Sequence, residues 1–253
     1  MKTSDVIVVG GGVVGASVAY HLAREGLTVT LFERDDLAAH ASGAAAGMLA
    51  PLCEADVNGP LFGPAIRSLE AIPGLVPELK ELSGVDPQYV QSGILRLAHT
   101  AEEASAFRRE AETLAPYGVE WIDADTARAR EPQVSPELHG ALWSPREGHV
   151  FSPMMTRAYA QAAVRLGATV RTGDPVLGLI RDGDQVLGVK TTAGQWGSGH
   201  VVLAAGVWSR YCAEWLGERL PVEPVRGQIL ALEQPRPPLR GIVWSGHTYL
   251  VPK

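Results

Sequence analysis

Six residues near the N-terminus constrain this chain more than any others: Gly10-Gly11-Gly12-Val13-Val14-Gly15, which fits G-x-G-x-x-G. The residues before them, 5–9 (DVIVV), are a short β-branched apolar run, the pattern of a strand buried on both faces. Residues 13–25 read as a helix, with Val14, Val18 and Leu22 recurring along one face and Gly26 where a C-cap belongs. Residues 27–33 (LTVTLFE) are a second strand. Strand, glycine turn, helix and strand within about thirty residues make a βαβ unit with a right-handed crossover. The glycine pattern alone is a weak signal, and this context is what gives it meaning.

Each glycine has a physical task. Gly10 permits the tight turn, Gly12 lets a pyrophosphate approach the backbone, and Gly15 lets helix and strand pack closely. The N–H groups of Val13 and Val14, at the helix N-terminus, then face negative phosphates. Glu33 stands eighteen residues beyond Gly15, near the usual ~20, and is placed to accept hydrogen bonds from ribose hydroxyls. NAD and FAD share this loop. Three features favour FAD: Arg34 directly after Glu33, an Ala/Gly/Ser-rich stretch at 41–48 with backbone room for a flat ring system, and a second glycine-terminated strand, 201–205, ending at Gly206.

The rest of the chain divides by texture. Helical patterns cover 65–83, interrupted at Pro73-Gly74, and 100–114, where Thr100 and Glu103 form a capping box. Residues 90–97 read as a strand between them. A helix over 152–166 presents Met155, Tyr159, Ala162 and Leu166, a strand follows at 168–171, and 176–180 and 186–191 flank a hairpin turn at Asp182-Gly183. From 221 onward the pattern is extended, at 225–232, 242–244 and 248–251. The expected fold is α/β (α+β overall): a Rossmann-like FAD-binding domain at 1–52 and 146–217, interleaved with a mostly antiparallel substrate domain at 53–145 and 218–253.

A net charge of −6 argues against a nucleic-acid partner, and no apolar run is long enough to span a membrane. Asp5 and the three glycines are foreign to a secretory signal, and Cys53 and Cys212 sit in no metal or redox spacing. A cytoplasmic protein is expected, as a monomer or a homo-oligomer. Seven histidines show no metal spacing, and no serine sits in a G-x-S-x-G elbow. The six tryptophans are scattered and read as core or domain-interface residues. No catalytic acid–base pair stands out.

These segments resemble the D-amino acid oxidase superfamily of flavoproteins, and within it the glycine oxidase branch of thiamine biosynthesis. The resemblance runs through VIVVGGGVVGASVAYHLAREG…LFER, ASGAAAGMLAP (41–51), EGHVFSP (147–153), VVLAAGVWS (201–209), PVEPVRGQIL (221–230) and YLVPK (249–253). It implies that Val13, Val14, Glu33 and Arg34 hold the adenosine and pyrophosphate, and that Ala41 and Ser42 contact FAD. It also implies that Ala46, Gly47 and Met48 run beside the isoalloxazine ring and that the Val176 backbone touches the adenine. Tyr249 would shape the substrate pocket with Met48. The activity implied is oxidation of glycine or another small amino acid or secondary amine, with hydrogen peroxide formed. A D-amino acid dehydrogenase, a sarcosine oxidase-like enzyme and a dinucleotide-binding fragment without turnover stay open as alternatives. In the family a C-terminal portion carrying a substrate-binding arginine follows the last matched strand, so this chain is expected to be a C-terminally truncated form with an incomplete substrate domain.

Overall fold

The computed structural model describes residues 2–233 and 238–253. The chain separates into two compact units, residues 1–45, 76–87 and 152–229, and residues 46–75, 88–151 and 230–253.

The first unit is built on a four-stranded parallel sheet ordered His200–Leu203, Val6–Val9, Val29–Phe32, Thr169–Arg171. All four residues of Val6–Val9 and of Val29–Phe32 are buried, as continuous apolar strands require. On one face, Ile7, Val9 and Phe32 pack with Val189 and Trp196 of a second sheet, ordered Lys2–Thr3, Gly194–Gly197, Gln185–Thr191, Val176–Asp182. The hairpin within that sheet turns at Gly183, whose φ of +57° suits glycine. The helices Val13–Arg24 and Ser152–Arg165 pack on each other, with the Tyr20 and Tyr159 rings 5.6 Å apart.

The helix face expected from Val14, Val18 and Leu22 is not the buried one. Gly15, Ala16, Ala19, Tyr20 and Ala23 are buried instead, while Val14 is 63% exposed. The cause is distance. A Cβ at Gly15 would stand 1.9 Å from the Gly10 carbonyl oxygen, so only small residues fit where this helix meets its strand. In Ser152–Arg165, Met155, Tyr159 and Ala162 are buried as expected, whereas Leu166 lies past the helix end and is exposed.

The second unit carries a five-stranded sheet ordered Thr248–Leu250, Ile242–Ser245, Ile94–Ala98, Gly140–Ser144, Glu120–Ile122. Its pairings are antiparallel except between Ile242–Ser245 and Ile94–Ala98. Alternation along the strands supplies two cores. Leu142 joins Leu52, Phe62, Ile66 and Leu114, while Leu95, Leu97, Ala141 and Val243 join Ile122 and Ala127. Helix Ala101–Leu114 opens with the expected capping box: Thr100 Oγ1 accepts from the Glu103 N–H at 3.1 Å, and the Glu103 carboxylate accepts from the Thr100 N–H at 3.1 Å.

Three expectations need correction. Pro73-Gly74 does not interrupt a helix, because Phe62–Ser83 is continuous over 22 residues. Ile66, Leu69, Ile72, Val76 and Leu79 are buried at three- and four-residue spacings straight through the prolines, and this burial outweighs the lost N–H donors. The strand expected at 90–97 is Ile94–Ala98, with Val90 only bridging to His149. Gly93, at φ +69° and tight against the Trp143 ring, breaks the run. The extended segment at 225–232 forms no strand, and Val225 is 92% exposed. It finds no ladder partner among the described residues. Residues 234–237 of the expected substrate domain lie outside the described residues. No helix among the described residues is long and apolar enough to cross a membrane.

Candidate functional site

The site grows out of the end of strand Val6–Val9. Gly10 takes φ +117°, and a side chain there would meet the Ala204 carbonyl oxygen at 2.4 Å. The chain therefore turns between two strands with no room for a Cβ, and helix Val13–Arg24 starts immediately, with Gly12 as its N-cap. Gly12 has no capping side chain of its own. The Val13 N–H donates instead to Ser42 Oγ at 2.9 Å, and the Ser42 carbonyl accepts from Ser152 Oγ at 2.6 Å. A hydroxyl from another segment thus caps the helix. This refines the expectation that the Val13 N–H faces a phosphate directly, since its donor is already engaged by Ser42.

Glu33 ends the second strand. Its carboxylate accepts from the Gly11 N–H at 2.6 Å and from the Asp35 N–H at 2.9 Å, and the residue is only 9% exposed. A carboxylate has about four lone-pair positions, so two stay available. Two backbone donors hold the acid beside the glycine turn, and it cannot swing away without orphaning them. The Gly11 carbonyl in turn accepts from the Ala38 N–H at 3.1 Å, and Ala38 holds a left-handed φ of +62°, strained for a residue with a Cβ. Both backbone groups of Gly11 are therefore pinned.

These groups open onto one cavity of about 650 Å³ within the first unit, inside the range of cofactor sites. Gly10, Gly12, Val13, Val14, Glu33, Arg34, Ala41, Ser42, Val176 and Gly206 all line it. Gly15 does not; its work is the close helix–strand contact. Val9, Phe32 and Leu203 add apolar walls, and His40 and Trp208 join Arg34 at the lining. Asp35 accepts from Arg34 Nε at 3.0 Å and pairs with His40 Nε2 at 2.7 Å. These contacts, His40 first, hold the Asp35 carboxyl below the usual carboxylate range. Sequence reasoning missed Trp208 and His40. Trp208 had one usable signal, its place directly after the strand that ends at Gly206.

Ala46, Gly47, Met48 and Tyr249 belong to the second unit and do not line this cavity. Met48 and Leu49 pair antiparallel with Gly148–His149, and Met48 packs against Ala50, Ile94 and Ile242. Gly47 takes φ +77°, and its carbonyl accepts from the Val150 N–H at 2.9 Å. Tyr249 lies on strand Thr248–Leu250, with its ring 5.6 Å from that of Trp244. The 41–48 stretch expected to flank a ring system is thus a short helix, Ala41–Ala44, in one unit and the start of a strand, Met48–Leu49, in the other.

The donor set suits the diphosphate, ribose and base of a dinucleotide. It offers a glycine-lined helix N-terminus, a fixed acid with free lone pairs, and apolar walls beyond it. Comparison with known proteins decides which kind. The profile of the FAD dependent oxidoreductase (DAO) family matches residues 5–253. The chain belongs to this family. Among curated relatives, the glycine oxidase of Bacillus subtilis (strain 168) is 33% identical over 249 residues, covering 98% of this chain and 66% of that enzyme. The bifunctional protein ThiO/ThiG of Synechocystis is 33% identical over 258 residues, covering 99% of this chain and 37% of that protein. The crystal structure of glycine oxidase from Geobacillus kaustophilus superposes with a TM-score of 0.88 at 31% identity, covering 100% of this chain and 69% of that one. The chain therefore spans about two thirds of the length of the glycine oxidases it matches. The family is one of FAD dependent oxidoreductases, and the groups lining the first-unit cavity are ones that could hold a dinucleotide.

Proposed function

We propose that the protein oxidises glycine, or another small amino acid or secondary amine, with FAD, as a glycine oxidase serving thiamine biosynthesis. The observation that carries the reading is Glu33, locked by the Gly11 and Asp35 N–H groups beside a helix N-terminus in a 650 Å³ cavity. The N-terminal end of helix Val13–Arg24, with its dipole and Ser42, would hold the diphosphate, and Glu33 the ribose hydroxyls. Held by Glu33, Ser42 and the head of helix Val13–Arg24, FAD would supply a two-electron acceptor, its N5, for the α-hydrogen of the neutral amine as hydride. The balanced reaction for glycine consumes oxygen and water and yields glyoxylate, ammonia and hydrogen peroxide. The work of the protein is orientation and charge, so no acid–base pair on the chain is required. On this reading Ala46 and Gly47 run beside the flavin ring, and Met48 and Tyr249 shape the substrate pocket.

The purified protein should be yellow and should bleach anaerobically on adding glycine. Hydrogen peroxide release measured side by side with glycine, D-alanine and sarcosine identifies the substrate. Faster release with sarcosine or D-alanine moves the assignment within the enzyme class. Bleaching without peroxide in air points to a dehydrogenase. A protein that binds FAD but bleaches with no amine is a binding module, and one that no flavin reconstitutes ends the reading.

A further inference from the structure

Glu147 is fully buried in the second unit, and the chemistry proposed above does not use it. Its Oε1 accepts from the Leu52 N–H at 2.7 Å and from the Cys53 N–H at 3.3 Å, and its Oε2 accepts from the Cys53 thiol at 3.0 Å. The Ser144 hydroxyl, buried and with no other hydrogen-bond partner among the described residues, acts on the same carboxylate. These groups are all donors, and none is a cation. Burial pushes the Glu147 carboxyl up, and the donors oppose it. A buried charge without an ion pair is unfavourable, and a neutral side chain could fill the same space. What a carboxylate adds here is acceptor capacity, because it takes donors on both oxygens and an amide does not.

The residues that follow extend the same contact. Gly148 and His149 pair antiparallel with Leu49 and Met48, and the Val150 N–H donates to the Gly47 carbonyl at 2.9 Å. Residues 147–150 therefore form the bed on which 47–53 is laid. The bed is itself fixed. The Glu147 carbonyl accepts from the Gly93 N–H at 2.9 Å, and a Cβ on Gly148 would stand 2.2 Å from the Val90 carbonyl oxygen. Backbone pairing of this kind is open to any sequence. Glu147 is the member of the bed whose side chain hydrogen-bonds to the segment laid on it.

We propose that Glu147 is a positioning residue for amine oxidation: its carboxylate sets where Leu52 and Cys53 lie, and with them the Met48 side of the substrate pocket. The inference rests on the reading that Met48 shapes that pocket. Glu147 touches no reacting atom and acts through residues 48–53. A wall contacts the substrate alike before and during hydride transfer, so displacing it weakens binding and leaves the chemical step unchanged.

The test compares Glu147→Gln with wild type in the full protein. Hydrogen exchange over residues 49–54, followed by mass spectrometry in the apo form, reads the hold on the segment and needs no turnover. A hydrogen bond to a carboxylate is about twice as strong as one to a neutral acceptor, so exchange at Leu52 and Cys53 should quicken about tenfold. Initial rates with the wild type's best amine substrate read the consequence. KM should rise about tenfold, with kcat within about threefold and ADP affinity, a property of the first unit, within about twofold. An anchor of purely structural value would quicken exchange and lower Tm without moving KM. Should Glu147→Gln fail to fold, Cys53→Ala, which removes the thiol donor, should raise exchange and KM severalfold, and Cys53→Ser, which keeps a donor, should restore both. Unchanged exchange overturns the proposal, and so does faster exchange with KM unmoved. A wild type that oxidises no amine overturns the functional reading and the proposal with it, and the wild type alone reveals that outcome before any variant is compared.

Discussion

Replacing Gly15 by alanine sets two local effects against each other, and the structure says which wins. Alanine is the better helix former by ~1 kcal/mol. Its Cβ, however, would stand 1.9 Å from the Gly10 carbonyl oxygen, where carbon–oxygen contacts normally begin near ~3.3 Å. Helix and strand must then part by more than an ångström. The obstacle is backbone that helix, turn and sheet all share, and no flexible side chain can step aside. Overpacking costs typically ~1–3 kcal/mol, and a backbone clash belongs at the top of that range, leaving a net loss of about 2 kcal/mol. For a chain of this size that lowers Tm by roughly 4–8 °C. The same displacement carries the helix N-terminus away from the position proposed for the diphosphate, so ADP and FAD affinity should fall at least tenfold. Gly26→Ala is the matched control. Gly26 has φ +86° and open space around it, so alanine there costs a left-handed conformation, about 1–2 kcal/mol, without touching the cavity. Thermal melts and ADP titration of both variants form the assay. The reasoning is refuted if Gly15→Ala melts with wild type and binds ADP as tightly as Gly26→Ala does.

Three further outcomes are expected. Ser42→Ala removes the cap on the Val13 N–H and should cost about 1 kcal/mol, read as a lower Tm together with weaker ADP binding. Thr100→Ala removes half of the capping box in the second unit and should cost a similar ~1 kcal/mol, with ADP affinity unchanged. His149 is buried, and burial first, then the nearby Lys253 charge, push it down to about 4 from 6.5. Its folded pKa lies below its unfolded one, so the unfolded chain binds the extra proton. Stability is untouched above about 6.5 and falls as the pH drops toward about 4. At pH 5 the loss is about 2 kcal/mol. His149→Gln should therefore lose less Tm than wild type between pH 7 and pH 5, and equal losses would show that His149 is not held neutral.

The glycine turn, its flanking strands and Glu33 were legible because their signals are local. A β-branched run, three glycines and an acid at a strand end are all within reach of one another in sequence. The cap on Val13 was not legible, because Ser42 arrives from 29 residues away and Gly12 carries no side chain to announce it. The wrong helix face has a similar cause. Periodicity ranks residues by hydrophobicity, so it chose Val14, Val18 and Leu22, but contact at this distance selects for small size and buries Gly15, Ala16 and Ala19. Pro73 looked like a breaker because its missing N–H is visible in sequence, whereas the burial of Ile72 and Val76 that keeps the helix intact is not. Trp208 reads in sequence as a core or domain-interface residue; its place just past Gly206 is a weak local signal, and only the fold brings Arg34 and His40 onto its ring.

The most direct measurement is a crystal structure of the protein grown with FAD. Density for the diphosphate should lie against the head of helix Val13–Arg24, with both ribose hydroxyls within hydrogen-bond reach of the Glu33 carboxylate. Density for the cofactor elsewhere, or a Glu33 that has turned from the sugar to another partner, contradicts the account at its root.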